Sequence, residues 1–243
     1  MKWKLAVLLT ILALPGVIAA AWLALPQMVD PAATPVRLET LQAAAAVQGT
    51  LLVLMTALLG ALLGPKVGLS APVLSAWIGT GGDTKAWRSM LLPGVAGGCL
   101  GACIILAFHA LAPEPLAEAL AGAATPLSVR ILYGGITEEV LVRWGLMTLL
   151  VWAGWRILQR GAGQPSVVVV GTAIVISALL FGVSHVPSVA HAMAGISAPV
   201  VAYVTLGNAL FGVIAAFLFW RRGLEAAITA HLLAHVFAYL IRG

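Results

Sequence analysis

Thr137-Glu138-Glu139-Val140-Leu141-Val142-Arg143-Trp144 sets two adjacent carboxylates and a guanidinium inside a run from Val129 to Leu158 that is otherwise almost wholly apolar, in a chain with only eight acidic residues. The surroundings decide the fold class. With 243 residues, 62% of them hydrophobic and 9% charged, and a mean hydropathy of +1.07, the chain lies far outside the range of water-soluble domains. It reads as an all-α, polytopic transmembrane helical bundle, organised as a single integral membrane domain over residues 1–243. A charge at membrane depth costs several kcal/mol unless it is paired or faces a polar cavity, so this stretch marks a functional site. Glu139 and Arg143 are four apart with the acid first, which puts them on one helix face as an ion pair. Glu138 lies about 100° further round the helix and needs a different partner or a water.

Working outward, apolar stretches of about 20 residues each span a hydrocarbon core of about 30 Å. The first runs from Leu5 to Leu25 behind Lys2 and Lys4. Its charged start and Ala19-Ala20-Ala21 resemble a signal peptide, but it is long enough to span and is read as a retained helix. A loop with Pro26, Asp30, Pro31 and Pro35 precedes a second span, Leu41 to Leu63. The connection Gly64 to Ser89 carries Lys66, Lys85, Arg88 and several breakers, and its apolar piece Val73 to Ile78 is expected at the membrane interface. Span three, Met90 to Leu111, contains the small-residue spacings Gly94/Gly98 and Gly97/Gly101, which admit a neighbouring helix closely. Ala112 to Pro126 reads as a loop, Leu127 to Leu158 as span four, and Val167 to His185 as span five, stopped by Pro187. Ser188 to Pro199 is expected as a short re-entrant or interfacial piece before span six, Val200 to Trp220, and span seven, Leu224 to Ile241. The total is seven, or eight if the Gly64 to Ser89 connection also crosses. With the N-terminus inside, seven spans place Lys2, Lys4, Lys66, Lys85, Arg88, Arg156, Arg160, Arg221 and Arg222 in the cytoplasm, against Arg37, Arg130 and Arg242 outside. The thirteen basic residues are scattered at helix ends rather than clustered, which excludes a nucleic-acid-binding patch. Cys99 and Cys103, within an apolar helix, are expected to be small packing residues.

Further polar groups recur in the apolar body. Phe181-Gly182-Val183-Ser184-His185 closes span five, with Phe181 above His185, and His231-Leu232-Leu233-Ala234-His235 places two histidines on one face of span seven. Asn208, His109 and His191 are read as interhelical hydrogen-bonding groups. Carboxylate, imidazole and further donors together suit activation of water by Glu138 and His185 for attack on a carbonyl, with the oxyanion held by the remaining donors. Two other readings stay open. A zinc protease could use the same residues, although the position after His231 is Leu232 where the usual zinc signature has glutamate. A proteolytically silent immunity or scaffold protein could also keep them. No metal or other cofactor is called for.

At these residues the chain resembles the CPBP family, named for CAAX proteases and bacteriocin-processing enzymes and including type II CAAX prenyl endopeptidases and lysostaphin-resistance-like proteins. The family's Glu-Glu-x-x-x-Arg motif is met by Glu138, Glu139 and Arg143, and its Phe-x-x-x-His motif by Phe181 and His185. The third motif, usually His-x-x-x-Asn, reads His231-x-x-x-His235 here, after Gly223-Leu-Glu-Ala-Ala-Ile. The resemblance covers 127–241. It implies a glutamate-dependent intramembrane endopeptidase in a bacterial plasma membrane, acting on a peptide or protein that is membrane-anchored or prenylated. It further implies catalysis by Glu138, His185, His231 and His235, with Glu139, Arg143 and Phe181 supporting or orienting substrate. The histidine at position 235 is the departure from the family pattern.

Overall fold

A computed structural model describes residues 2–29, 35–122, 125–193 and 195–242. The loop positions Asp30 and Pro31 lie outside the described residues. Among the described residues, seven helices are long and apolar enough to cross a membrane: Trp3–Gln27, Leu38–Lys66, Thr84–Ala110, Leu127–Leu158, Val167–Ala192, Ala198–Arg222 and Leu224–Arg242. The expected class and span number are therefore found. The side chains left exposed are themselves apolar, such as Leu92, Val168, Leu206 and Leu240. On a soluble surface this would be a hazard, whereas facing hydrocarbon it is required.

Small residues set how closely the helices approach. A Cβ added at Gly98 would lie 2.6 Å from the Leu233 Cβ, and one at Gly101 would lie 2.7 Å from the Ala234 Cβ. The third span thus packs directly on the seventh through the glycine spacing read in the sequence. Spans six and seven are joined by Gly223 alone, which has φ 97°. That left-handed conformation suits glycine, and a side chain there would also meet Pro72.

Several expectations need correction. The piece after span two forms a short helix, Pro72–Trp77, with Val73 and Leu74 buried. It is six residues long, too short to cross. It is tied to the turn between spans six and seven: Leu224 N donates to Ser70 O (3.0 Å), and Leu74 N donates to the buried Glu225 Oε1 (2.9 Å). Ala112 to Pro126 contains a helix, Glu114–Gly122, whose Leu116 is fully buried in a small apolar cluster with Val200 and Val204. Span five breaks at His185 and resumes as Val186–Ala192, so the expected re-entrant piece is its continuation. Pro187 explains the break, because it lacks an N–H and its ring would clash with the carbonyl four residues earlier. Cys99 and Cys103 are free and exposed on the lipid side of span three, not packed inside.

Replacing Glu225 with Ala strands the Leu74 amide. It is expected to lower stability by about 1–3 kcal/mol. Glu225→Gln, which keeps an acceptor, should recover most of the loss. Thermal unfolding in detergent measures both.

Candidate active site

Span four builds one wall. From Arg130 to Met147 its backbone is π-helical, with i→i+5 hydrogen bonding, where a regular α-helix was expected. Side chains follow the wider turn: Thr137 Oγ1 donates to Leu132 O five residues back (3.2 Å) and to Ala13 O of span one (2.8 Å). Wide turns of this kind recur at functional sites. Here the form puts Tyr133 and Glu138, five apart, on one cavity wall.

Glu139 and Arg143 form the expected pair, Arg143 Nε to Glu139 Oε2 at 3.3 Å, with both side chains fully buried. The pair has a third member. His231 Nδ1 donates to Glu139 Oε1 at 2.8 Å, so the carboxylate bridges spans four and seven. The Arg143 guanidinium also lies 4.6 Å from the centre of the Phe181 ring, a cation–π contact with span five. Phe181 stands edge-on to His185 with ring centres 4.7 Å apart, and edge-on to His231 at 6.1 Å. Phe211 of span six packs on His231, 4.7 Å between ring centres.

The hydrogen bonds decide what each imidazole presents. His185 Nδ1 is 2.8 Å from the Phe181 carbonyl oxygen, which can only accept. Nδ1 therefore carries the proton, and Nε2 of the neutral ring is an acceptor. His231 is constrained alike: with Nδ1–H directed at Glu139, its Nε2 donates only when the ring is an imidazolium. His235 stacks on His231 with ring centres 5.1 Å apart and makes no hydrogen bond among the described residues. Both Nε2 atoms converge on Gly134, where an added Cβ would lie 3.0 Å from that of His235 and 3.6 Å from that of His231.

Glu138, His185, His231 and His235 all line one cavity of about 380 Å³. Its remaining wall is mostly apolar, and Tyr133, Asn208, His109 and Arg130 supply further polar groups. Glu138 and His185 are partly exposed to the cavity, while Glu139 is sealed away from it. Asn208 donates to Val204 O within its own helix (2.8 Å) instead of bonding between helices. Tyr133 was missed because its place beside Glu138 depends on the π-helical turn, which apolar periodicity does not report, and Gly134 because it carries no polar side chain. Among the described residues no group of three or more His, Cys, Asp or Glu is arranged to hold a metal ion.

The cavity thus gathers carboxylate and imidazole groups inside a bundle of apolar spans. Residues 121–237 match the model of one family in particular, described as type II CAAX prenyl endopeptidase Rce1-like, and this match assigns that segment to the family. The matched segment contains all three motif-bearing stretches. No curated protein and no solved structure matches the chain.

Arg143→Ala leaves Glu139 buried beside only His231. It should cost about 3–5 kcal/mol of stability, read as lower abundance and a lower unfolding temperature. Arg143→Lys should restore only part, because a point charge lacks the planar fork and the stacking on Phe181. Normal abundance and full function in Arg143→Ala would remove the pair from the account.

Proposed function

We propose that the protein is an intramembrane endopeptidase of the glutamic type, hydrolysing a peptide bond with a water activated by Glu138 and His185. The observation that carries this reading is the segregation of the two adjacent glutamates. Glu139 is buried in an ion pair with Arg143 and a hydrogen bond from His231, which leaves Glu138, in the cavity, as the carboxylate free to move a proton.

In this mechanism water lies between the Glu138 carboxylate and His185 Nε2. Glu138 takes one proton as the oxygen attacks the scissile carbonyl carbon, and the carbonyl π electrons move onto its oxygen. General-base assistance of this kind contributes about 10²- to 10⁴-fold. The resulting oxyanion is held by donors near Gly134, namely His235 and, when its ring carries both protons, His231. Collapse of the tetrahedral intermediate breaks the C–N bond, and the proton on Glu138 passes to the leaving amine. Phe181 positions His185 through its backbone carbonyl, and Arg143 through its ring.

Glu138→Gln keeps the size of the side chain and removes the base. Comparing the peptide termini in cells carrying the native chain with those in Glu138→Gln cells should reveal termini made only by the native chain. A peptide spanning such a terminus should then be cut about 10²- to 10⁴-fold more slowly by the purified variant. A silent immunity or scaffold protein would keep its phenotype in Glu138→Gln.

The departure at position 235 gives a second test. A neutral histidine donates through one ring nitrogen, whereas an asparagine amide is a permanent donor. His235→Ala should lose about 100- to 1,000-fold in turnover, as for one oxyanion donor, and His235→Asn should recover most of it. If both variants fail equally, His235 has a role that an amide cannot fill, such as proton transfer.

A further inference from the structure

The cavity opens at one end of the bundle. It shares Ala119, Thr125, Ser188 and Ala192 with a wider vestibule of about 870 Å³, also lined by Gln27, Glu118 and His191. These residues lie where spans one and five end, where span four begins, and in the helix Glu114–Gly122 between spans three and four. All are at the same face of the membrane. The cavity residues agree, since they come from the later parts of spans three and five, the middle of span seven and the earlier parts of spans four and six.

The basic residues lie at the opposite face. Lys66, Lys85, Arg156 and Arg221 mark the other ends of spans two, three, four and six, and nine of the thirteen Lys and Arg fall on that side. The vestibule side has Arg37, Arg130 and Arg242, together with Glu39, Glu114 and Glu118. The connections are short, which is the case in which Lys and Arg in loops set orientation.

We infer that the active site opens away from the cytoplasm, so its substrates are peptide segments exposed on the non-cytoplasmic face or entering from the outer half of the bilayer. The substrate part rests on the proteolytic reading above; the side of the mouth does not. The consequence is specific. A prenylated C-terminus anchored in the cytoplasmic leaflet would meet the basic end of the bundle, opposite the mouth, so cytoplasmic CAAX tails are not the substrate class. What fits is an exported or membrane-anchored chain whose cleavage site carries apolar side chains, which the Leu116, Val129 and Val204 wall of the cavity would receive.

The test begins in a background with Cys99→Ala and Cys103→Ala. Single cysteines are introduced as Glu118→Cys and His191→Cys at the mouth and as Lys85→Cys at the basic end, all exposed positions. Intact cells are treated with a membrane-impermeant maleimide. Labelling of the two mouth positions without permeabilisation, and of Lys85→Cys only after it, is expected; the reverse pattern would overturn the inference. The Glu138-dependent termini are then placed on the topology of their parent proteins. Sites on the non-cytoplasmic side support the substrate class, and sites on the cytoplasmic side overturn it while leaving proteolysis intact. Finding no Glu138-dependent termini would overturn the proteolytic reading and the substrate class with it, and the labelling would still decide the side of the mouth.

Discussion

The carboxylate of Glu139 is the constraint on which the rest of the site depends. A charge this deep in an apolar bundle is tolerable only if its neighbours supply compensating charge and donors. Arg143 does so along span four, and His231 does so across from span seven. Once those partners are in place, Arg143 lies over Phe181, and Phe181 lies against His185. One buried ion pair thereby fixes the relative positions of three spans. It also orients two imidazoles without itself entering the cavity.

This arrangement explains why two glutamates occur side by side. Adjacent positions on a helix point in different directions, so the same local sequence delivers one carboxylate to the interior and one to the cavity. The first is spent on structure, and its neighbour keeps its freedom because of that. Histidine tautomers extend the same division. A backbone carbonyl holds the Nδ1–H of His185, and a carboxylate holds that of His231. The first ring is therefore set up as an acceptor and the second as a conditional donor, although the side chains are chemically identical.

Much of the fold was legible because hydrocarbon imposes length and composition on any helix that crosses it. The bounds of span four, Leu127 to Leu158, follow directly, and the Gly97/Gly101 spacing already indicated a close helix contact. The Glu139–Arg143 pair was legible because both residues sit on one helix. The Glu139–His231 bond was not, since it joins residues 92 apart in sequence and depends on helix packing. The π-helical course of span four was equally hidden, because hydrophobic periodicity reports which residues are apolar and not how many complete a turn. The helix Glu114–Gly122 was taken for a loop because its short sequence lies between prolines. Its buried Leu116 has meaning only beside Val200 and Val204. Glu225, which in the sequence is only part of the stretch before His231, holds down a helix some 150 positions earlier through the Leu74 amide.

Gly223 has a mechanical consequence. A single residue between two long helices leaves no slack for one to slide along the other, so the end of span six and the start of span seven move together. His231, His235, Asn208 and Phe211 all lie on these two spans, and their joined end is clamped by the Ser70 and Leu74 contacts. Compliance must therefore come from the opposite wall, where Pro187 has already broken span five beside His185 and where the helices Glu114–Gly122 and Val186–Ala192 pack on each other at the vestibule. Room for a bound molecule would then be made beyond the break, in the segment Val186–Ala192, while His185 keeps the place that Phe181 and Arg143 give it.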